Sequence, residues 1–174
     1  MTCVVLTASV VHAADAQEST VAKIKSAYLL NFLRFTDWPS WSFDDQTSAL
    51  RVCVIGTDSL GGILDQTMDD ELVHGRPIDV LRVTVDDPLQ HCHLLYIAAS
   101  EESRLNDIVS KLNGSSTLTV GETAGFASDG AMLALNREDD RIIFYANRDA
   151  IRAGQVRLSS KILQLAKMVD RRGR

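Results

Sequence analysis

Few side chains in this 174-residue chain sit at a spacing that chemistry needs. His91 and His93 flank Cys92, and strand alternation would put both imidazoles on one face. With His74 they would offer three nitrogen ligands to a metal such as zinc. No Asp/Glu-x-x-His or Cys-x-x-Cys spacing accompanies them, and hydrogen bonding at a strand end explains them as well. Cys92 and His93 cannot act as nucleophile and base, because neighbours in a strand point to opposite faces. Gly56 to Gly62 joins a strand-like run to a helix-like one, where phosphate binders keep glycines, yet it lacks G-x-G-x-x-G spacing and a Gly-Lys-Ser/Thr ending. It reads as a turn. No Gly-x-Ser-x-Gly elbow occurs, and Asp44-Asp45, Asp69-Asp70 and Asp86-Asp87 read as solvated turns rather than acid–base pairs. The sequence therefore points to no catalytic residues, no metal ligands and no cofactor.

The cysteines carry a different message. Met1 to Ala13 hold no Lys, Arg, Asp or Glu, and Val11-His12-Ala13 fits the small-x-small pattern of a signal-peptidase site. The expectation is a signal peptide over residues 1–13 and one mature domain over 14–174; the absent basic n-region implies a true start upstream of Met1. Cys3 falls in that leader and leaves Cys53 and Cys92, the even number that an oxidising compartment favours. Both lie in apolar strand-like runs. If those strands are neighbours, a disulfide can form between them; otherwise they are two reduced core cysteines.

The elements that would position these residues follow from periodicity. Val21 to Asp37 shows a helical stripe at Val21, Ile24, Tyr28, Phe32 and Phe35, widened by Leu29, Leu30 and Leu33 and closed by Trp38-Pro39. So wide a stripe is expected to be buried or shared with a second copy, which makes a homodimer plausible. Ser40 to Ser48 reads as a loop carrying Trp41 and Phe43. Strand patterns then recur at 52–55, 78–85, 94–98 and 117–120, with helices between them through Leu60–Leu64 and Leu105–Leu112. Runs 131–136 and 141–147, joined by Arg137-Glu138-Asp139-Asp140, predict an antiparallel hairpin. A last helix is expected from Ser159 or Ser160, with Leu158, Ile162, Leu165, Ala166 and Val169 as its stripe. The expected fold is α/β: a mixed, mainly parallel open sheet with helices on both faces and a C-terminal antiparallel hairpin.

Composition bounds what such a domain can do. Hydrophobic residues make up 45% and charged residues 24%, which excludes intrinsic disorder. Eighteen Lys and Arg against 23 Asp and Glu leave a net charge of −5, and no basic footprint for nucleic acid. No apolar run is long enough to insert in a bilayer.

Ordered motifs add a resemblance. Lys25-Ser26-Ala27-Tyr28-Leu29-Leu30-Asn31-Phe32 is followed by Phe35-Thr36-Asp37-Trp38-Pro39, Cys53-Val54-Ile55-Gly56, Gly75-Arg76-Pro77-Ile78 and Cys92-His93-Leu94-Leu95-Tyr96-Ile97. Leu118-Thr119-Val120 with Gly125-Phe126, Arg141-Ile142-Ile143-Phe144 with Asn147, and Leu158-Ser159-Ser160-Lys161-Ile162-Leu163 complete the series. In order and spacing the chain resembles the YfiR family, small periplasmic proteins that restrain an inner-membrane diguanylate cyclase. The resemblance implies a non-catalytic regulator that binds the periplasmic sensor region of a YfiN-type cyclase and lowers cyclic-di-GMP and biofilm formation. Cys53 and Cys92 match the family's cysteines. This chain lacks the second cysteine pair of some relatives and has Gly130-Ala131 where a glycine pair is usual. No partner-binding signature carries over, so the candidates are the aromatic residues Trp41, Phe43 and Phe126, which serve equally as local lids. The competing reading is a periplasmic small-molecule-binding module using the crevice at the strand ends.

Overall fold

A computed structural model describes residues 8–139 and 141–170. The first seven residues of the expected signal peptide lie outside the described residues. Seven strands form the central sheet: β2 (Leu50–Ile55), β3 (Ile78–Val83), β4 (Leu94–Ile97), β5 (Leu118–Gly121), β6 (Leu133–Glu138), β7 (Arg141–Asn147) and β9 (Lys167–Val169). Their order is β3-β2-β4-β5-β6-β7-β9, parallel throughout except for the β6/β7 hairpin, which pairs Glu138 with Arg141 across its turn. Two short strands, β1 (Thr36–Asp37) and β8 (Arg157–Leu158), pair antiparallel in a separate sheet. The expected fold class is the observed one.

Strand alternation sorts the apolar side chains into two layers. Val52, Val54, Leu94, Tyr96, Leu118, Val120, Leu133 and Leu135 pack with Leu29 and Leu33 of α1 (Ala8–Arg34) and Leu64 and Met68 of α2 (Gly61–Met68). Cys53, Ile55, Leu95, Ile97 and Ala134 meet the opposite layer, Leu105 and Ile108 of α3 (Leu105–Lys111) and Phe126 and Ala127 of α4 (Ala124–Ser128). β2 and β4 are covered on both faces, which is why their sequences read as continuous apolar runs. A fully buried Leu, Val or Ile stabilises by about 1.5–3 kcal/mol over an exposed one, so these two layers dominate the local propensities of the short helices.

Three expectations change. The first helix starts at Ala8 and stops at Arg34, and Thr36-Asp37 leaves it to pair with Leu158-Arg157, while the Thr36 hydroxyl donates to Phe32 O at 2.6 Å. Its buried face runs through Ala22, Lys25, Ser26, Leu29, Leu30, Phe32 and Leu33, so Ile24 and Phe35 are left exposed. The sheet and α2 cover most of the stripe that suggested a homodimer. The last helix is one turn, α6 (Ser160–Leu163), capped by the Ser159 hydroxyl, which accepts from Lys161 N at 3.3 Å. Lys167–Val169 then extends as β9 along the open edge of β7 and leaves Leu165 75% exposed. A short helix absent from the expectations, α5 (Arg148–Ala153), is capped by Asn147, whose side chain accepts from Ala150 N at 2.9 Å.

Candidate functional site

His93 organises the loop that carries the exposed aromatic residue. It is buried just ahead of β4; its Nδ1 accepts from Arg51 N at 3.0 Å, and Nε2 lies 3.0 Å from Ser42 O. An acceptor at Nδ1 makes Nε2 the donor, so the ring is neutral in one tautomer. Burial pushes its pKa down to about 4; the Ser42 carbonyl opposes this, and the positive charges of Arg51 and Arg76 add to it. Phe43 stacks on the imidazole with ring centroids 4.5 Å apart, and Arg76 Cζ lies 3.7 Å from the Phe43 centroid. Arg76 Nη1 also donates to Asp45 O and Ser48 O, and Trp38 Nε1 donates to His93 O at 3.1 Å. The Asp45 carboxylate accepts from the Thr47 hydroxyl and from the Thr47 and Ser48 amides, which hold its pKa at about 2. Residues 38–48 are thus a fixed lid. Trp41 stands 64% exposed on its 3-10 turn, Ser40–Ser42, while Phe43 is half-buried. Phe43 is therefore a lid residue rather than a free contact surface.

Beside this lid lies a cavity of about 470 Å³, with Leu81, Cys53 and Cys92 among its apolar lining and Asp44, Arg51 and His91 among its polar residues. A disulfide joins Cys53 to Cys92, with Cα atoms 5.8 Å apart; both residues are buried. Arg51 pairs with Asp44 of the lid at 2.8 Å, tying the loop to the cavity. Arg82 pairs with Asp58 at 2.9 Å and Asp65 at 2.6 Å, which raises the guanidinium's pKa further and lowers that of Asp65. The site's charges are satisfied within the chain, and what it presents outward is apolar. It can receive a partner's side chain; it does not assemble a nucleophile with a base.

The strand-end crevice has a different occupant. Strand order reverses between β2 and β4, where open α/β sheets place ligands beyond the carboxyl ends of the strands. There Gly56 adopts φ +94° with its Cα hard against Ser100 and Glu101, and Ser100 Oγ accepts from Thr57 N at 2.9 Å. Glu122 accepts from Lys25 Nζ at 2.9 Å, Ala99 N at 2.8 Å and the Ser59 hydroxyl. Burial raises the Glu122 pKa, but these donors hold it below its ordinary value. Burial and the Glu122 charge push the Tyr96 phenol far up. The chain's own groups fill the crevice, and the small-molecule reading finds no open site there. Asp58 likewise accepts from Leu60 N and Gly61 N, occupying the amides that a phosphate would need.

Other candidates disperse. Phe126 is fully buried in α4, packed so closely on Gly121 that no Cβ fits there, so it presents nothing to a partner. His91 closes a 3-10 turn, Leu89–His91, instead of lying in a strand, so it does not share a strand face with His93. His74 Nε2 is 3.1 Å from Thr36 O. Among the described residues no group of three or more His, Cys, Asp or Glu is placed to hold a metal. All six residues of the acidic doublets are exposed. Periodicity gave no hint of the Lys25–Glu122 pair, because Lys25 sits within an apolar helix face.

A family model described as YfiR/HmsC-like matches residues 22–167. No curated protein matches the chain. Among solved structures, the chain is similar to one titled as the crystal structure of a conserved domain protein from Vibrio cholerae O1 biovar El Tor str. N16961. The TM-score is 0.54 and the identity 11%, over 68% of this chain and 54% of that one. The chain thus matches about half of that protein's length, and at this identity the likeness establishes the fold alone.

Proposed function

The chain belongs to the YfiR/HmsC-like family, and from that premise we propose that it is a periplasmic, non-catalytic regulator that binds the periplasmic sensor region of a YfiN-type inner-membrane diguanylate cyclase and lowers cyclic-di-GMP output and biofilm formation. The family match over most of the chain carries this reading. The buried disulfide is consistent with export to an oxidising compartment. Export would follow removal of residues 1–13, leaving 14–174 as the working domain. The partner-facing surface in this reading is the lid around Trp41 with the adjoining cavity, since an exposed tryptophan beside an apolar recess is what binding hot spots favour.

Overexpression tests it. Cyclic-di-GMP is measured in a strain that holds the cognate cyclase and in one stripped of every membrane cyclase. The level should fall only in the first. An equal fall in both strains overturns the proposal.

A further inference from the structure

At the opposite end of the sheet, a cavity of about 240 Å³ lies between the end of α3, the amino end of β5 and α5. Val109, Leu112, Met132 and Ala150 give it an apolar wall. Its polar side includes Thr117, Thr119 and Asp149. Thr117 is 1% exposed, and its hydroxyl has no hydrogen-bond partner. Two residues along, on the same face of the strand, Thr119 Oγ1 accepts from Met132 N at 2.9 Å and keeps its own proton to donate. Folded proteins rarely leave a buried hydroxyl unpaired, and one that lines a cavity gains its missing bond from whatever fills that cavity.

The charge of the lining narrows the ligand. No Lys, Arg or His lines the cavity, and its one ionisable group is the exposed carboxylate of Asp149. A carboxylate or phosphate ligand would face Asp149 without a counter-charge, whereas an ammonium group would be attracted to it. At about 30 Å³ per water in the liquid, the space suits a body of roughly eight water-sized groups. We propose that this cavity binds a small primary amine, its ammonium shared between Asp149 and the threonine hydroxyls and its short hydrocarbon body against Val109, Leu112 and Met132. This site is independent of the cyclase reading, and either can fail without the other.

Titration of the purified protein with n-butylamine, followed by amide chemical shifts, tests the proposal, with butyrate at the same concentrations as the control. Saturable shifts should cluster at residues 113–117, 130–132 and 149–154 with the amine and be absent with the acid. Thr117→Val keeps the side chain's shape and should weaken binding roughly tenfold by removing the hydroxyl. Ala153→Leu, on the solvent side of α5, should block the cavity without touching the core, and so serves if Thr117→Val does not fold. Three outcomes overturn the proposal: no saturable shifts in those segments, equal binding of butyrate, or undiminished amine binding by the folded variants.

Discussion

A histidine held neutral by its surroundings makes stability depend on pH in a definite direction. His93 in the unfolded chain takes up a proton near its ordinary pKa of 6.5, but the folded protein resists until about 4. Across that interval the unfolded state binds more protons, so stability is complete above pH 6.5 and declines as pH falls towards 4. The full shift corresponds to on the order of 3 kcal/mol, of which about 2 should be lost between pH 7 and pH 5. Carboxylates held low, such as Glu122 and Asp65, titrate in the unfolded chain near 4, so their losses come in more acid solution. Urea unfolding at pH 7, 6 and 5 should therefore show a decline that His93→Gln flattens; an unchanged decline in that variant refutes the assignment. Gly121 offers a sterically simpler test. A Cβ there would run into the Cβ and ring of Phe126, so Gly121→Ala should cost about 1–3 kcal/mol, or more if the fully buried ring cannot shift, as read from its urea midpoint. Neither role was legible in the sequence. Pairing His93 with His91 assumed a strand through both, and the 3-10 turn at Leu89–His91 removes that assumption.

Among the elements, the covalent link between β2 and the segment entering β4 matters most for stability. The cysteines are 39 residues apart, and closing a loop of that length in the unfolded chain corresponds to about 4 kcal/mol in the chain-entropy estimate, typically about 2–4 in practice. Cys53→Ser or Cys92→Ser should lower the denaturation midpoint accordingly and reduce cellular abundance, because total domain stability is only about 5–15 kcal/mol. Thiol titration of unreduced, denatured protein checks the premise, and two reactive thiols would end it. The central strands were legible because alternation leaves a trace wherever each face meets its own layer, as at Val52/Val54 and Cys53/Ile55. The C-terminal stripe misled for a related reason. Leu158, Ile162, Leu165 and Val169 fit a helical period, but the open backbone edge of β7 offered Lys167–Val169 a strand partner, and no local pattern announces a free edge. α5 escaped notice because its six residues carry no apolar stripe, only the Asn147 cap.

On the scale of the whole molecule, what remains open is which surface the rest of the cell reads. Export is the first condition: the mature protein should begin at Ala14 and be recovered from the periplasm, and unprocessed protein in the cytosol refutes this. The strand-end crevice is filled by Lys25, Glu122, Ser59 and Ser100, so the strongest polar cluster faces inward. The lid is the reverse case, with its anchors buried and its one large aromatic turned outward. Arg76, Phe43 and His93 fix the loop, and Trp41 projects from it with 64% of its surface exposed. A side chain so exposed contributes little to folding, so Trp41→Ala should change stability by no more than about 0.5 kcal/mol. If the lid is the contact surface, the same variant should release the cyclase at unchanged protein abundance. Phe43→Ala should do both, destabilising the protein and releasing the cyclase, because it removes the stack that positions the loop. Equal inhibition by Trp41→Ala and wild type at matched abundance would assign the partner to another face. Inhibition lost only together with stability would make the lid a structural cover over His93.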